Sequence, residues 1–160
     1  MDFHIRRAEL RDASALGAIL RSIGYFTRIN NEPPQVTEER ISRHLALCQA
    51  DESHSVYVAQ TTTGEIAGYG AVHWLPYLIL PAPEGYVSEL FVHAAYQGQG
   101  VGSRLLETIK NEAQERGCYR LSLLNFRQRK SYQRQFYAKQ GWEERADAAN
   151  FVLYLPHEVA

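Results

Sequence analysis

The 160-residue chain is long enough for one sizeable hydrophobic core and too short for two ordinary domains. Its hydrophobic content of 45% and charged content of 22% are those of a globular protein, and 17 basic against 18 acidic residues leave a net charge of -1, without the basic field that nucleic-acid binding needs. Cys48 and Cys118 lie outside any CxxC or zinc-type spacing and read as free thiols in a reducing compartment.

At the amino end, residues 3–7 alternate like a strand, and the long apolar run of a signal peptide or membrane span is missing, so the expected location is the cytoplasm. Leu10, Ala13, Leu16, Ile19, Leu20 and Ile23 recur at helical spacing, and Gly24 ends that helix. Residues 24–36, with Asn30-Asn31-Glu32-Pro33-Pro34, read as a loop; Thr37 then serves as N-cap of a second helix running to about Ala50, with Glu38 and Glu39 favouring its start. Residues 56–59 form a strand, Thr63-Gly64 a hairpin turn, and residues 66–74 its partner. Pro76, Pro81 and Pro83 mark a loop before the strand at 86–92, which feeds a glycine turn and a third helix. A fifth strand at 119–124, a fourth helix at 130–140 capped by Gly141, and a last strand at 151–155 paired with the segment around Trp142 complete the pass. No internal repeat or linker is found. The expectation is one α/β (α+β) domain over residues 1–160, a mixed, mostly antiparallel sheet with helices on both faces.

The strongest signal is Gln97-Gly98-Gln99-Gly100-Val101-Gly102-Ser103-Arg104. A helix start leaves backbone N–H groups without partners and concentrates positive dipole, so a diphosphate placed there satisfies both, while glycines let the main chain come close. Downstream, Val101, Leu105, Leu106, Ile109 and Ala113 make one apolar helix face; upstream, Val87, Leu90, Phe91 and Val92 are β-prone. The run lacks the third glycine of a dinucleotide fingerprint, where Ser103 stands, and the lysine of a nucleotide triphosphate loop. A tight turn whose glycines serve backbone geometry alone is the other reading.

Gln97-x-x-Gly100-x-Gly102, preceded by Glu89-Leu90-Phe91-Val92 and followed by Phe136-Tyr137-Ala138-Lys139-Gln140-Gly141-Trp142, resembles the GNAT superfamily of N-acetyltransferases over nearly the whole chain. The resemblance implies transfer of an acetyl group from acetyl-CoA to a primary amine by direct attack in a ternary complex. It implies that the fourth strand bulges and splays from the fifth, so that main-chain groups of Leu90, Phe91 and Val92 pair with the pantetheine arm, and that a backbone N–H near Leu90 faces the acetyl oxygen. The diphosphate falls to residues 97–104. Tyr137 takes the place of the general acid that protonates the departing sulfur. Glu89 is the candidate for the amine's proton, directly or through water, with Tyr86, Ser88 and His93 in reserve.

The sequence departs from the family between the fifth strand and the fourth helix. Asn125 resembles an asparagine that contacts the coenzyme, yet its distance from Tyr137 exceeds the commonest spacing, and Tyr132 occupies the usual tyrosine position. Both tyrosines stay open, with Phe136 and Gly141-Trp142 favouring Tyr137. Arg127, Arg129, Lys130 and Arg134 lie in the extra segment, either solvated or within reach of phosphates. No metal is expected, since His4, His44, His54, His73 and His157 show no paired ligand spacing. By resemblance the acceptor surface draws on Tyr25, Phe26, Trp74, Tyr77, Leu78, Ile79, Trp142 and Phe151, an apolar and aromatic set for a small-molecule or peptide amine. A homodimer through sheet edges or terminal strands is also consistent with the superfamily. A non-catalytic acyl-CoA sensor is the alternative function, and it would need neither Tyr137 nor Glu89.

Overall fold

Apolar and polar residues alternate in strand β1 (Phe3–Arg7), the first element of a computed structural model that describes residues 2–157. The chain divides into two compact units, one ending at Leu124 and the other beginning at Asn125.

In the first unit β1 leads through a 3-10 turn at Leu10–Asp12 into α1 (Ala13–Ile23). Glu9 and Asp12 close that start as a reciprocal capping box, and Gly24, with a φ of 73°, ends the helix in the left-handed conformation that glycine adopts cheaply. The short α2 (Thr27–Asn31) lies inside the expected loop, and α3 (Pro34–Cys48) begins earlier than the sequence suggests. Thr37 is therefore not an N-cap. Pro34 fills the first helical position, where its missing N–H costs nothing, and the fully buried Thr37 donates its hydroxyl to Glu32 at 2.6 Å.

Strands β2 (His54–Thr61), β3 (Ile66–Leu75), β4 (Glu84–Val92) and β5 (Arg120–Leu123) then build a sheet in the order β1-β2-β3-β4-β5. All pairs are antiparallel except β4 with β5, whose parallel pairing requires the crossover through α4 (Val101–Glu115). The expected mostly antiparallel sheet with helices on both faces is what forms.

Two apolar clusters seat the helices. On one face Leu16, Ile19 and Leu20 of α1 and Leu45 of α3 pack with Val58 and Tyr69; on the other, Val101 and Leu105 of α4 pack with Phe3, Ala59 and Ala67. Small residues on β3 set how closely α4 approaches. A Cβ on Gly68 would lie 2.9 Å from both the Phe91 carbonyl oxygen and Val101 Cγ1, distances that real side chains do not tolerate. Farther along α4, Glu112 is 8% exposed and accepts hydrogen bonds from Tyr57 (2.6 Å), Ser55 (3.0 Å), Arg116 (2.8 Å) and Arg7 (2.9 Å). Ser55 in turn accepts the indole N–H of Trp74 at 3.0 Å, so Trp74 belongs to this buried network and not to the expected acceptor surface. At Gly117, bonds from Cys118 to the Ala113 carbonyl and from Gly117 to the Gln114 carbonyl close α4.

The second unit holds α5 (Lys130–Gln133) and a 3-10 turn at Ala138–Gln140 instead of one helix over 130–140. The interruption is Gln135, left-handed at a φ of 57°, where the Phe136 amide bonds to the Ser131 carbonyl and the Gln135 amide to that of Tyr132. Gly141 ends the following turn as expected, at a φ of 89°. The last expected strand does not form. Trp142 spends its amide on the Tyr137 carbonyl in that turn, so its backbone is not an extended partner, and Phe151, Leu153 and Tyr154 are 85–92% exposed.

Candidate functional site

The central event is the parting of two neighbouring strands. β4 pairs with β5 only from Glu84 to Val87, opposite Arg120 to Leu123, whereas it pairs with β3 as far as Val92. From Ser88 onward, among the described residues, the β5-side edge of β4 has no strand paired beside it. The change coincides with a bulge, because Val72 faces Val87 and Ala71 faces Glu89, which leaves Ser88 as the extra residue. Bulges bend a strand and re-aim its side chains.

Leu90, Phe91 and Val92 lie on this open stretch, and their side chains point into the body of the unit. Leu90 and Val92 pack with the cluster under α4, and Phe91 stands edge-on to Phe26 at 5.5 Å and against Tyr69 at 5.9 Å. The Val92 carbonyl accepts the Gln97 side-chain amide at 3.2 Å, tying the strand's end to the loop that follows.

That loop turns through Gly98 and Gly100, at φ values of 78° and 84°, into α4. A Cβ at either glycine would meet no atom within 4 Å, so conformation and not crowding demands glycine there. Gly100 is the N-cap residue and supplies no side-chain cap, which leaves the positive end of a fifteen-residue helix without an anionic side chain of its own. Val101 is buried, Gly102 half-buried and Ser103 exposed. Gln99 folds its amide onto the Ala95 carbonyl. Arg104 is committed elsewhere: its amide donates to the Gly100 carbonyl at 3.1 Å, and its guanidinium donates to the Phe3 carbonyl at 2.8 Å and covers the Phe3 ring. Its side chain therefore moors β1 to α4.

Glu89 sits just beyond the bulge on the face that carries α3. The residue opens to solvent, while its carboxyl is surrounded by protein, and this loss of hydration pushes its pKa above the ordinary carboxylate value against the opposing pull of a Tyr69 hydrogen bond and the charge of His44. The buried Tyr69 donates its hydroxyl to Glu89 at 3.0 Å, and its own pKa is driven well up by burial and by that carboxylate. Cys48 on α3 also feels Glu89, after burial, as a cause of its raised pKa. Ser88 bonds to His73 Nε2 on β3 at 2.8 Å, and Tyr86 stacks obliquely on the same imidazole. His93 caps the next turn through Nδ1 and the Ala95 amide, a structural duty.

Sequence reasoning did not find Tyr69 or His73. The signal for His73 was its position on the hairpin, since His54 and His73 stand at matching distances on either side of Thr63-Gly64 and face each other in register. Tyr69 carried no such mark, because only the strand register places it near Glu89.

The second unit contains the remaining expected residues. Tyr137 is half-buried, with the Phe136 and Trp142 rings edge-on at 5.0 and 5.8 Å, and burial pushes its pKa up to about 12. Asn125 donates to Ser131 at 2.9 Å. Tyr132 donates to the Glu144 carboxylate at 3.0 Å, which Arg127 also grips at 2.9 Å. Of the acceptor-surface candidates, Phe26 is half-buried against the α1–α3 core cluster, whereas Tyr25, Tyr77, Leu78, Ile79 and Phe151 are exposed.

A strand that bulges and parts from its neighbour, followed by a glycine turn into an uncapped helix, is the arrangement the sequence resemblance anticipates, and the model of the acetyltransferase (GNAT) family matches residues 23–142. The chain belongs to the GNAT acetyltransferase family. It is similar to glucosamine 6-phosphate N-acetyltransferase 1 of Oryza sativa subsp. japonica, at 31% identity over 121 residues, covering 74% of this chain and 70% of the relative. Among solved structures its fold matches a transcriptional regulator from Bacillus halodurans C-125 with a TM-score of 0.83, at 24% identity, covering 96% of this chain and 100% of that one. It also matches glucosamine-6-phosphate N-acetyltransferase from Arabidopsis thaliana with a TM-score of 0.77, at 20% identity, covering 98% and 100%. The protein is an acyltransferase whose activity is N-acetylation of an amine. Among the described residues no helix is long and apolar enough to cross a membrane.

Proposed function

We propose that this GNAT enzyme takes acetyl-CoA as its donor and passes the acetyl group directly to the primary amine of a small molecule in a ternary complex. The observation that carries the reading is the departure of β4 from β5 after Val87, with Ser88 bulged out and the strand feeding an uncapped helix. In this reading amides of residues 97–103 hold the diphosphate, favoured by the helix dipole and by the open space around Gly98 and Gly100. Main-chain groups of Leu90, Phe91 and Val92 receive the pantetheine arm as an added strand, and the Leu90 amide stabilises charge on the acetyl oxygen, an effect worth about 3 kcal/mol per donor.

Two proton tasks remain when the amine attacks the thioester carbon and the C–S bond breaks. Glu89 takes a proton from nitrogen as the C–N bond forms; its environment supports the assignment, because a carboxylate with a raised pKa is a better base than an ordinary one. Tyr137 returns a proton to the departing sulfur. A phenol held protonated by a pKa of about 12 suits that task, and Tyr132 is less suited because its hydroxyl is engaged with Glu144.

Glucosamine 6-phosphate is the first acceptor to try, since the rice relative is named for it. On the same reading residues 1–160 act as one cytoplasmic domain, and a second copy docks on the exposed apolar run at 151–155. Calorimetry with acetyl-CoA, then thiol release across a panel of amines that includes glucosamine 6-phosphate, tests the proposal. Binding together with amine-dependent thiol release is the expected result. An enzyme that neither binds the donor nor releases thiol with any amine overturns it.

A further inference from the structure

Acetylation of an ammonium group removes two protons from nitrogen, and only one of them ends on sulfur, so one must leave the site before attack. Glu89 and Tyr137 account for the transfers during attack and departure, and the first proton has no carrier among them. His73 and Ser88 form a hydrogen-bonded pair whose hydroxyl lies on the bulge where β4 leaves β5. We propose that Ser88 and His73 relay this first proton away from the acceptor nitrogen, a role that rests on the acetyl-transfer reading above.

The step balances simply. The ammonium gives a proton to Ser88 Oγ as Ser88 gives its own to His73 Nε2, leaving a neutral amine, an unchanged serine and an imidazolium. The step requires the tautomer in which Nε2 is the acceptor and Nδ1 carries hydrogen.

What surrounds His73 favours passing the proton on. From β2 the His54 ring packs edge-on at 4.4 Å, and from β4 the Tyr86 ring lies at 6.4 Å. Burial, and then the His54 charge, lower the His73 pKa. His54 Nδ1 lies 2.7 Å from Ser53 Oγ, and Ser53 donates to Asp51, which fixes the second imidazole. His54 and Asp51 also line a polar cavity of about 220 Å³ together with Arg7 and Glu52. His54, packed on His73, therefore stands between the relay and that cavity.

Ser88 touches the amine and is a catalytic residue in this scheme; His73 acts through it and is a positioning residue. The test uses the intact enzyme with acetyl-CoA and two probes, glucosamine 6-phosphate and 2-phenylethylamine, each assayed over pH 5 to 10. His73→Gln and Ser88→Ala are expected to lower kcat/KM on the order of 100-fold at pH 7. The loss should shrink as pH approaches the pKa of the amine, where the substrate arrives already neutral, and Ser88→Thr should restore the wild-type profile. Wild-type turnover with an unchanged pH profile in His73→Gln overturns the relay and leaves the acetyl-transfer reading standing. No wild-type turnover with either probe overturns both. Nitrogen-15 spectra of the imidazoles give a readout apart from activity: hydrogen on Nδ1 of His73, disturbed by Ser88→Ala, supports the relay, and hydrogen on Nε2 overturns it.

Discussion

Tyr137 has a phenol that stays protonated throughout the physiological range, because burial holds its pKa near 12. Tyr137→Phe removes one oxygen from a packed aromatic group and should preserve folding and donor affinity while lowering kcat on the order of 100-fold, as steady-state kinetics beside calorimetry will show. Glu89 acts in the opposite sense. Its folded pKa is raised, so the ionised base is lost as pH falls through that raised value, and the acid limb of kcat/KM should lie above the ordinary carboxylate range. Glu89→Gln should abolish that limb and cut kcat/KM by about 100-fold at pH 7. A raised carboxylate gives its stability below the unfolded pKa and loses it as pH climbs, so the same variant should melt higher than wild type at pH 7 and not at pH 4. Thermal scans at the two values check this.

The placement of α4 against β3 and β4 depends on the bare backbone of Gly68. Gly68→Ala puts a methyl group 2.9 Å from the Phe91 oxygen and from Val101, which should cost about 2 kcal/mol in denaturant unfolding and weaken acetyl-CoA binding by moving the helix start. Much of this element was legible in the sequence, because a positive φ at Gly98 and Gly100 and an apolar stripe through Val101, Leu105 and Ile109 each leave a residue-type mark. Other elements left weaker marks. Thr37 looked like a cap, and Pro34 had already started the helix. Gln135 gave no warning of a left-handed turn, since glutamine is not a residue that favours one. The contact of His73 with Ser88 depends on a bulge, and a one-residue change in register is invisible in composition. Glu89, named from its strand, is placed beside the bulge, whereas Arg104 and Asn125 spend their side chains on the protein itself.

At the scale of the molecule, Glu112 ties α4 to β1 and β2, since Arg7, Ser55, Tyr57 and the helix's own C-cap Arg116 all donate to it. Burial pushes its pKa up, and the hydrogen bonds from Tyr57, Arg116 and Ser55 outweigh that and bring it below the ordinary value. Such a group gives its stability above the unfolded pKa and loses it as pH falls through the folded one. Glu112→Gln should therefore cost about 3 kcal/mol at pH 7, with the difference from wild type narrowing in acid, measured by urea unfolding at both values. Leu153, exposed amid an apolar run, tests association: Leu153→Asp should convert the proposed dimer to monomer in light scattering without loss of helix signal. The parted strands bear on handling as well. An unpaired edge inside a sheet is adhesive toward stray extended chains, so concentrated stocks stored without donor should precipitate sooner than stocks saturated with it.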